Sequence, residues 1–182
     1  MTQPLIAIPY FTGSGHTRVL AQAIASGAPN TALIDVTAMT ETDWRTLNDA
    51  QAILFGSPTY MGSTAARYDH FLEEAADLWT DLPWRDKIAG GFTVASYPSG
   101  DKLSALFRLS IYASQMGMIW IGPTDIGAPV EPDQPGINRD GSMLGLMARS
   151  DPDKSIMINA GDTETARRFG ARIHSCAQRW QP

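Results

Sequence analysis

The sequence has a single cysteine, Cys176, among its 182 residues. One thiol excludes an intramolecular disulfide and a cysteine-rich zinc site. Cys176 falls in an amphipathic segment near the C-terminus, and no neighbouring residue is of a kind that would activate it. We therefore predict a packed thiol rather than a nucleophile, and we predict no metal site.

Long apolar runs are also missing. No segment approaches the roughly 20 apolar residues that cross a bilayer. Segment 1–4 leads into only a short apolar run and lacks the basic residues that open a signal peptide. We therefore expect no membrane partner and a location in the cytoplasm.

Positive charge is scarce and dispersed. The chain has 14 Lys and Arg residues against 19 Asp and Glu residues, which gives a formal net charge of -5. The densest basic pair, Arg167–Arg168, is typical of a solvated helix face. Because nucleic-acid-binding surfaces carry a basic patch or stripe, we predict no nucleic-acid partner.

The sequence does contain a regular alternation of short apolar runs with amphipathic segments. The apolar runs predict strands at 5–11, 31–36, 52–56, 88–95 and 118–122, with a short extra strand at 155–159. Helical periodicity predicts helices at 16–26, 41–47, 65–79, 104–116 and 163–180. This order indicates one doubly wound α/β domain over residues 1–182, with an extended loop, rich in Pro, Gly and Asp, at about 123–154.

Two helix ends carry local signals. Thr40 is a candidate cap for the helix at 41–47, and Asp43 falls in the first turn of that helix, where a carboxylate is favourable. Gly117 follows the helix at 104–116 and is its predicted stop.

The loop after the first predicted strand is a candidate anion site. It has two glycines, three hydroxyl side chains and no basic charge, and it opens the first helix, whose free N–H groups attract anions. It lacks the lysine of a P-loop and the third glycine of a dinucleotide-binding fingerprint. A plain tight turn is the alternative. Its residues are Thr12, Gly13, Ser14, Gly15, His16 and Thr17.

The loops after the third and fourth strands combine small polar residues with an aromatic residue. A surface tyrosine in a loop is the alternative for each of them alone. Because ligands bind outside the carboxyl ends of parallel strands, all three loops are expected to line one crevice. The second loop contributes Pro58, Thr59, Tyr60, Met61 and Gly62, and the third contributes Ser96, Tyr97, Pro98, Ser99, Gly100 and Asp101.

The segments Y-F-T-G-S-G-H-T, G-S-P-T-Y-M-G and D-L-W resemble the flavodoxin-like fold. More narrowly, they resemble the tryptophan-repressor-binding-protein type of NAD(P)H:quinone oxidoreductase, within the NADPH-dependent FMN reductase family. The similarity runs to Gly122 and resumes in the C-terminal helix. It implies a three-layer sandwich with a five-stranded parallel sheet in the order 2-1-3-4-5, FMN as cofactor, and NADH or NADPH as electron donor.

The resemblance also implies roles for the loops. The first wraps the FMN phosphate, the second contacts the isoalloxazine ring, and the third closes the other side of the ring. Trp79 lines the substrate pocket across a subunit interface in a homodimer or homotetramer. For Trp79, Trp84 and Tyr68, each taken alone, a core position is the alternative. Where the family often has a histidine that touches the flavin, this chain has Met116.

The function that this implies is two-electron transfer from NAD(P)H to a quinone or similar flat acceptor by a ping-pong mechanism. Tyr60 and Trp79 are the expected flat walls for that acceptor. The flavin performs the chemistry, so we predict no catalytic side chain, and we place His16 beside the phosphate. The alternatives are a flavodoxin-type electron carrier that docks on protein partners, and an FMN-binding module without turnover.

Overall fold

The computed structural model describes residues 3–153 and 155–180. The ends of the predicted domain (1, 2, 181 and 182) and Lys154, the last residue of the predicted loop, lie outside the described residues. The strands are β1 Ile6–Tyr10, β2 Thr31–Asp35, β3 Ala52–Tyr60, β4 Ser63–Thr64, β5 Ile88–Ala95, β6 Ile119–Trp120 and β7 Leu146–Arg149. The helices are α1 His16–Gly27, α2 Glu41–Asp49, α3 Ala66–Ala76, α4 Lys102–Gln115 and α5 Ala160–Trp180, with a short 3-10 helix at Val36–Ala38.

The sheet has the predicted doubly wound order, β2-β1-β3-β5-β6, and its main strands are parallel. The fifth position is shared by two segments. β6 pairs with the start of β5, at Ile88 and Ala89, and β7 pairs with its end, from Phe92 to Ala95. The chain between β6 and β7 is therefore an insertion within one strand position.

Two predictions about this region are wrong. The sheet has seven strands rather than five, because β4 adds to β3 and β7 forms inside the segment predicted as an extended loop. The short strand predicted at 155–159 is not a named strand. It contributes a single bridge between Ser150 and Ile158.

β3 continues to Tyr60, through residues 58–60, which were predicted to belong to the second loop. Gly56 is the last β3 residue that pairs with β1, and its carbonyl accepts from the Phe11 N–H. Sites two residues apart face the same neighbour in a sheet, so Pro58 faces the side where β1 has already ended. The missing N–H of Pro58 therefore removes no ladder bond, and the strand stays paired with β5 at Val94.

Successive side chains along each strand point to opposite faces of the sheet and form two apolar layers, one on each face. On one face Ile8 and Leu54 pack with Leu20 and Ile24 of α1 and Phe169 and Ile173 of α5. On the other face Ile53 and Phe55 pack with Leu47, Phe71, Leu109 and Trp84. The layers hold the sheet rigidly, so the loops at its carboxyl edge are anchored at both ends.

The helix-end predictions at Thr40 and Gly117 are confirmed. Thr40 and Asp43 form a reciprocal capping box at the start of α2. Gly117 follows α4 with φ +72°, a left-handed conformation that favours glycine. α3 ends at Ala76, three residues before its predicted end at 79, and turns follow it.

The aromatic residues divide between core and surface. Trp84 and Tyr68 are fully buried, whereas Trp79 is 57% exposed. The Tyr68 hydroxyl donates to the Pro9 carbonyl at 3.0 Å and accepts from the Gly56 N–H at 3.1 Å, which joins α3 to β1 and β3. Burial raises the pKa of Tyr68 well above its usual value. Among the described helices, none combines the length and apolarity needed to cross a membrane.

Arg168 of α5 donates to Asp125 and Gln134 of the insertion and also to Glu164 of its own helix. Hydrogen bonds from Arg167 and then Arg168 lower the pKa of Glu164 from 4.5 to about 2. A carboxylate whose pKa is lowered by folding stabilises the protein at pH values above its pKa in the unfolded chain. This stabilisation is lost as pH falls through its pKa in the folded protein. We expect Glu164→Gln to lower the free energy of unfolding at neutral pH by less than about 1 kcal/mol, since the pairs are exposed.

Urea denaturation of wild type and Glu164→Gln at several pH values measures this contribution. The difference between the two proteins should close as pH falls from 4.5 towards 2. A difference that stays constant across that window would contradict the assignment.

Candidate cofactor site

A cavity of about 240 Å³ opens at the carboxyl edge of the sheet, between the ends of β1, β3 and β5. Its lining is neutral apart from one histidine and is rich in hydroxyl groups. The lining residues are Gly13, Ser14, His16 and Thr17 after β1, Pro58, Thr59 and Tyr60 at the end of β3, Val94, Ala95 and Ser96 at the end of β5, and Ser150 after β7. The structure therefore brings parts of all three predicted loops together.

The backbone of the first loop is fixed by contacts within the loop and with the start of α1. The Thr12 hydroxyl accepts from the backbone N–H of Gly15 at 3.1 Å and of Arg18 at 3.4 Å. Gly15 has φ +98°, which a residue with a Cβ rarely adopts. Gly15, the N-cap of α1, offers no side-chain acceptor to the first turn, and that turn contains no acidic residue. The start of a helix that nothing negative occupies is a site for an anion.

Thr17 is the first-loop residue best placed to bind that anion. Its side chain is 1% exposed and lines the cavity. Within residues 3–153 and 155–180, no protein acceptor meets its backbone N–H. An N–H and a hydroxyl on the same buried residue can both donate to one anionic group.

Tyr60 connects the first and second loops. A Cβ added at Gly13 would lie 2.1 Å from the Tyr60 hydroxyl oxygen, so the tyrosine lies directly over a glycine. The Tyr60 side chain is 48% exposed at the mouth of the cavity. Behind it, the hydroxyls of Thr59 and Thr93 are 2.7 Å apart and tie β3 to β5.

Several predicted residues lie outside this cavity. Met61 is fully exposed with φ +50°, and Gly62 has φ +80°, so the two form a turn that the Ser104 hydroxyl holds through the Gly62 carbonyl. In the third loop only Ser96 lines the cavity. Tyr97 is 76% exposed, Pro98 and Ser99 border a different cavity, and Gly100 and Asp101 lead into α4 with left-handed backbones.

Trp79 also lies away from the cavity, in a groove of about 360 Å³ between α3 and α4. Its indole N–H donates to the Gln115 carbonyl at 3.0 Å. Met116 lines the same groove and is 1% exposed. Neither residue reaches the cavity of its own chain.

Two residues outside the three predicted loops contribute here, since Ser150 lines the cavity and Met157 lies against the first loop. The Ser150 N–H donates to the Ala95 carbonyl at 3.0 Å, and the Ser150 hydroxyl donates to that of Ser96 at 3.2 Å. The Met157 methyl lies 2.6 Å from where a Cβ of Gly15 would be, so it covers the first loop. Ser150 directly follows β7. The four residues of β7 are too few to predict a strand inside a Pro- and Gly-rich segment.

Residues 11–129, from the end of the first strand into the insertion, match the model of the NADPH-dependent FMN reductase family. The chain belongs to this family. As a member of the FMN reductase family it is a flavodoxin-like flavoprotein oxidoreductase, and it uses FMN and NAD(P)H.

The chain is similar to proteins with two kinds of name. It is 36% identical over 179 residues to flavodoxin FldP of Pseudomonas aeruginosa, covering 94% of this chain and 95% of that one. It is 27% identical over 138 residues to an NAD(P)H dehydrogenase (quinone) of Cupriavidus metallidurans, covering 64% of this chain and 69% of the other. A crystal structure of a flavodoxin, WrbA-like protein from Agrobacterium tumefaciens superposes with a TM-score of 0.79 at 31% identity, covering 98% and 99% of the two chains.

The cavity fits the FMN that the FMN reductase family uses. The start of α1 has a glycine at its N-cap and no acidic residue in its first turn, which suits a phosphate. The hydroxyls of Ser14 and Thr17 add donors, and no acidic side chain among the described lining residues opposes the negative charge. A monophosphate held by N–H and hydroxyl groups needs neither a lysine nor a metal ion.

Proposed function

We propose that this protein transfers two electrons from NAD(P)H to a quinone or a similar flat acceptor, in a ping-pong cycle in which donor and acceptor use the same space in turn. The observation that carries the proposal is the form of the cavity. Its lining combines a hydroxyl-rich anion cradle at the first loop with Tyr60, a half-exposed aromatic side chain whose hydroxyl reaches Gly13 of that loop. A cofactor anchored by its phosphate then leaves one face of its ring open to small molecules.

The proposed binding roles follow the chain. Residues 12–17 hold the FMN phosphate, with the Thr17 N–H and hydroxyl as donors. Pro58, Thr59 and Tyr60 border the flavin ring, and Ser96 closes its other side. When bound, FMN supplies the hydride-accepting and hydride-donating chemistry.

The side chains position and shield rather than catalyse. His16 lines the cavity and is 9% exposed. It follows Gly15 at the start of α1 and belongs to the anion cradle, so we assign it a place beside the phosphate. The remaining lining residues orient the cofactor and exclude water from it.

The acceptor is proposed to stack between Tyr60 and a Trp79 supplied by a second subunit of a homodimer or homotetramer. Trp79 is exposed and does not line its own cavity, which suits presentation to a neighbouring chain. Apolar side chains are also exposed in the second and third loops and on α4, at Met61, Tyr97, Leu103 and Phe107. Exposed apolar side chains of this kind favour contact with flat apolar molecules and with another subunit. We propose the cytoplasm as the location of the reaction.

A flavodoxin-type electron carrier is the second candidate, because the 36% identical relative is named a flavodoxin. Anaerobic mixing of FMN-loaded protein with NADH or NADPH alone separates the two candidates. We expect the flavin absorbance to bleach without a separate reductase and to return when a quinone is added. Reduction only through a separate reductase protein would favour the carrier, and no reduction by either route would indicate a binding module without turnover.

A further inference from the structure

Lys102, the first residue of α4, is a lysine whose side chain is fully buried. Its ammonium donates to the Tyr97 carbonyl at 3.2 Å and to the Ala148 carbonyl at 3.3 Å, and it forms an ion pair with Asp140. A buried ammonium is strongly unfavourable unless it is paired and hydrogen-bonded. These three contacts therefore hold the Lys102 ammonium in one position.

Asp140 extends this contact into a network that also contains the buried Asp162 and two partly exposed arginines. Its carboxylate also accepts from the Arg149 guanidinium, at 2.7 Å from Nε. The backbone N–H of Arg149 donates to Asp162 of α5 at 2.9 Å, and Asp162 accepts from Arg139 at 2.8 and 3.0 Å. Three cations and two carboxylates form the network, which leaves one net positive charge.

The network lies directly behind the wall of the cofactor cavity. Tyr97 follows Ser96, and Ala148 precedes Arg149 and Ser150, so Lys102 joins the two segments that carry Ser96 and Ser150 into the cavity. Arg149 pairs in register with Ala95, which also lines the cavity. Neither Lys102 nor Asp140 lines the cavity itself.

We propose that Lys102 and Asp140 are positioning residues for the FMN site, through which the insertion between β6 and β7 sets the shape of the cavity wall. This inference rests on the proposed placement of FMN in the cavity. Lys102 holds the third loop and β7 in one geometry, and Asp140 supplies the insertion's contact with Lys102. The network carries one net positive charge behind the cavity wall, and a positive charge beside bound FMN favours the reduced, more negative form of the flavin.

Lys102→Met and Asp140→Asn test the positioning role, with Lys87→Met as matched control. The Lys87 ammonium is also partly buried and donates to two backbone carbonyls, of Asn48 and Ala50, but it lies at the amino end of β5 on the opposite edge of the sheet. FMN titration into each apoprotein, followed by quenching of flavin fluorescence, gives the dissociation constant. We expect Kd to rise about ten-fold or more in both site variants, and to stay within about two-fold of wild type in the control.

The midpoint potential of the bound FMN supplies a readout that a merely structural role would not move. Lys102→Met removes a positive charge and should shift the potential to a more negative value. Asp140→Asn removes a negative charge and should shift it to a more positive value, while Lys87→Met leaves it unchanged. Opposite shifts from two variants that both weaken FMN binding would support the proposal.

Wild-type Kd and potential in folded site variants would overturn the proposal, even if their free energies of unfolding were reduced. Should Lys102→Met fail to fold, Asp140→Asn preserves the side-chain shape and decides the question alone. Failure of wild-type protein to bind FMN at this cavity would instead overturn the proposed site, so the two failures are distinguishable.

Discussion

The affinity for FMN is expected to fall by about 100-fold or more when Ser14→Ala and Thr17→Val are combined. Both hydroxyls line the cavity beside the uncapped start of α1, where we place the phosphate. Each hydrogen bond lost to a charged group costs about 1.5–3 kcal/mol, and every 1.4 kcal/mol changes a dissociation constant about ten-fold. The backbone donors and the helix dipole remain, so binding weakens without being abolished.

Titration of apoprotein with FMN measures the change, and Ser26→Ala combined with Thr31→Val is the matched control. Those hydroxyls donate to the carbonyls of Ala23 and Ala28, at the far end of α1. The control should bind FMN like wild type while losing a similar number of hydroxyl contacts. Equal affinity of all three proteins would show that the phosphate lies elsewhere.

Gly170→Val is expected to lower the free energy of unfolding by about 3 kcal/mol or more, which is the overpacking range or beyond. A Cβ at Gly170 would lie 2.0 Å from the Ile24 carbonyl oxygen, where α5 crosses α1. Gly27 has the reciprocal contact, since its Cβ would lie 1.9 Å from the Arg167 carbonyl oxygen. Two backbones in such close approach cannot separate without disturbing the apolar layer that both helices cover.

Equilibrium urea denaturation measures this effect, with Ala171→Val as the control. Ala171 neighbours Gly170 on α5 but is exposed, so valine there should cost only a few tenths of a kcal/mol in helix propensity. A Gly170→Val protein no less stable than the control would mean that α1 and α5 do not pack as closely as described.

The repeating architecture could be predicted because its signals are local. Apolar runs such as Ala52–Phe55 and the amphipathic helices that follow them specify a doubly wound sheet through periodicity alone. The cap at Thr40 and the stop at Gly117 depend on neighbours within a few residues. The first loop was found for the same reason, since its glycines and hydroxyls directly precede a helix.

The second and third loops were located but not delimited. Pro58 falls in the second predicted loop, and its missing N–H is disfavoured in a central strand. Whether that N–H is needed depends on where the neighbouring β1 ends, and no residue near Pro58 encodes this. Likewise, Ser96 turns into the cavity while Pro98 and Ser99 do not, because the buried Lys102 holds the Tyr97 carbonyl back from it.

The sequence by itself determined the alternation of strands and helices and, through its family resemblance, the strand order and FMN as the cofactor. Only the tertiary structure decided the remaining wall of the site, where Ser150 and Met157 meet residues more than 50 positions away. It also decided that Trp79 faces a separate groove. The physical reason is the range of the interactions: periodicity and capping act within one element, whereas the Lys102–Asp140–Arg149 network joins segments that only the completed sheet brings together.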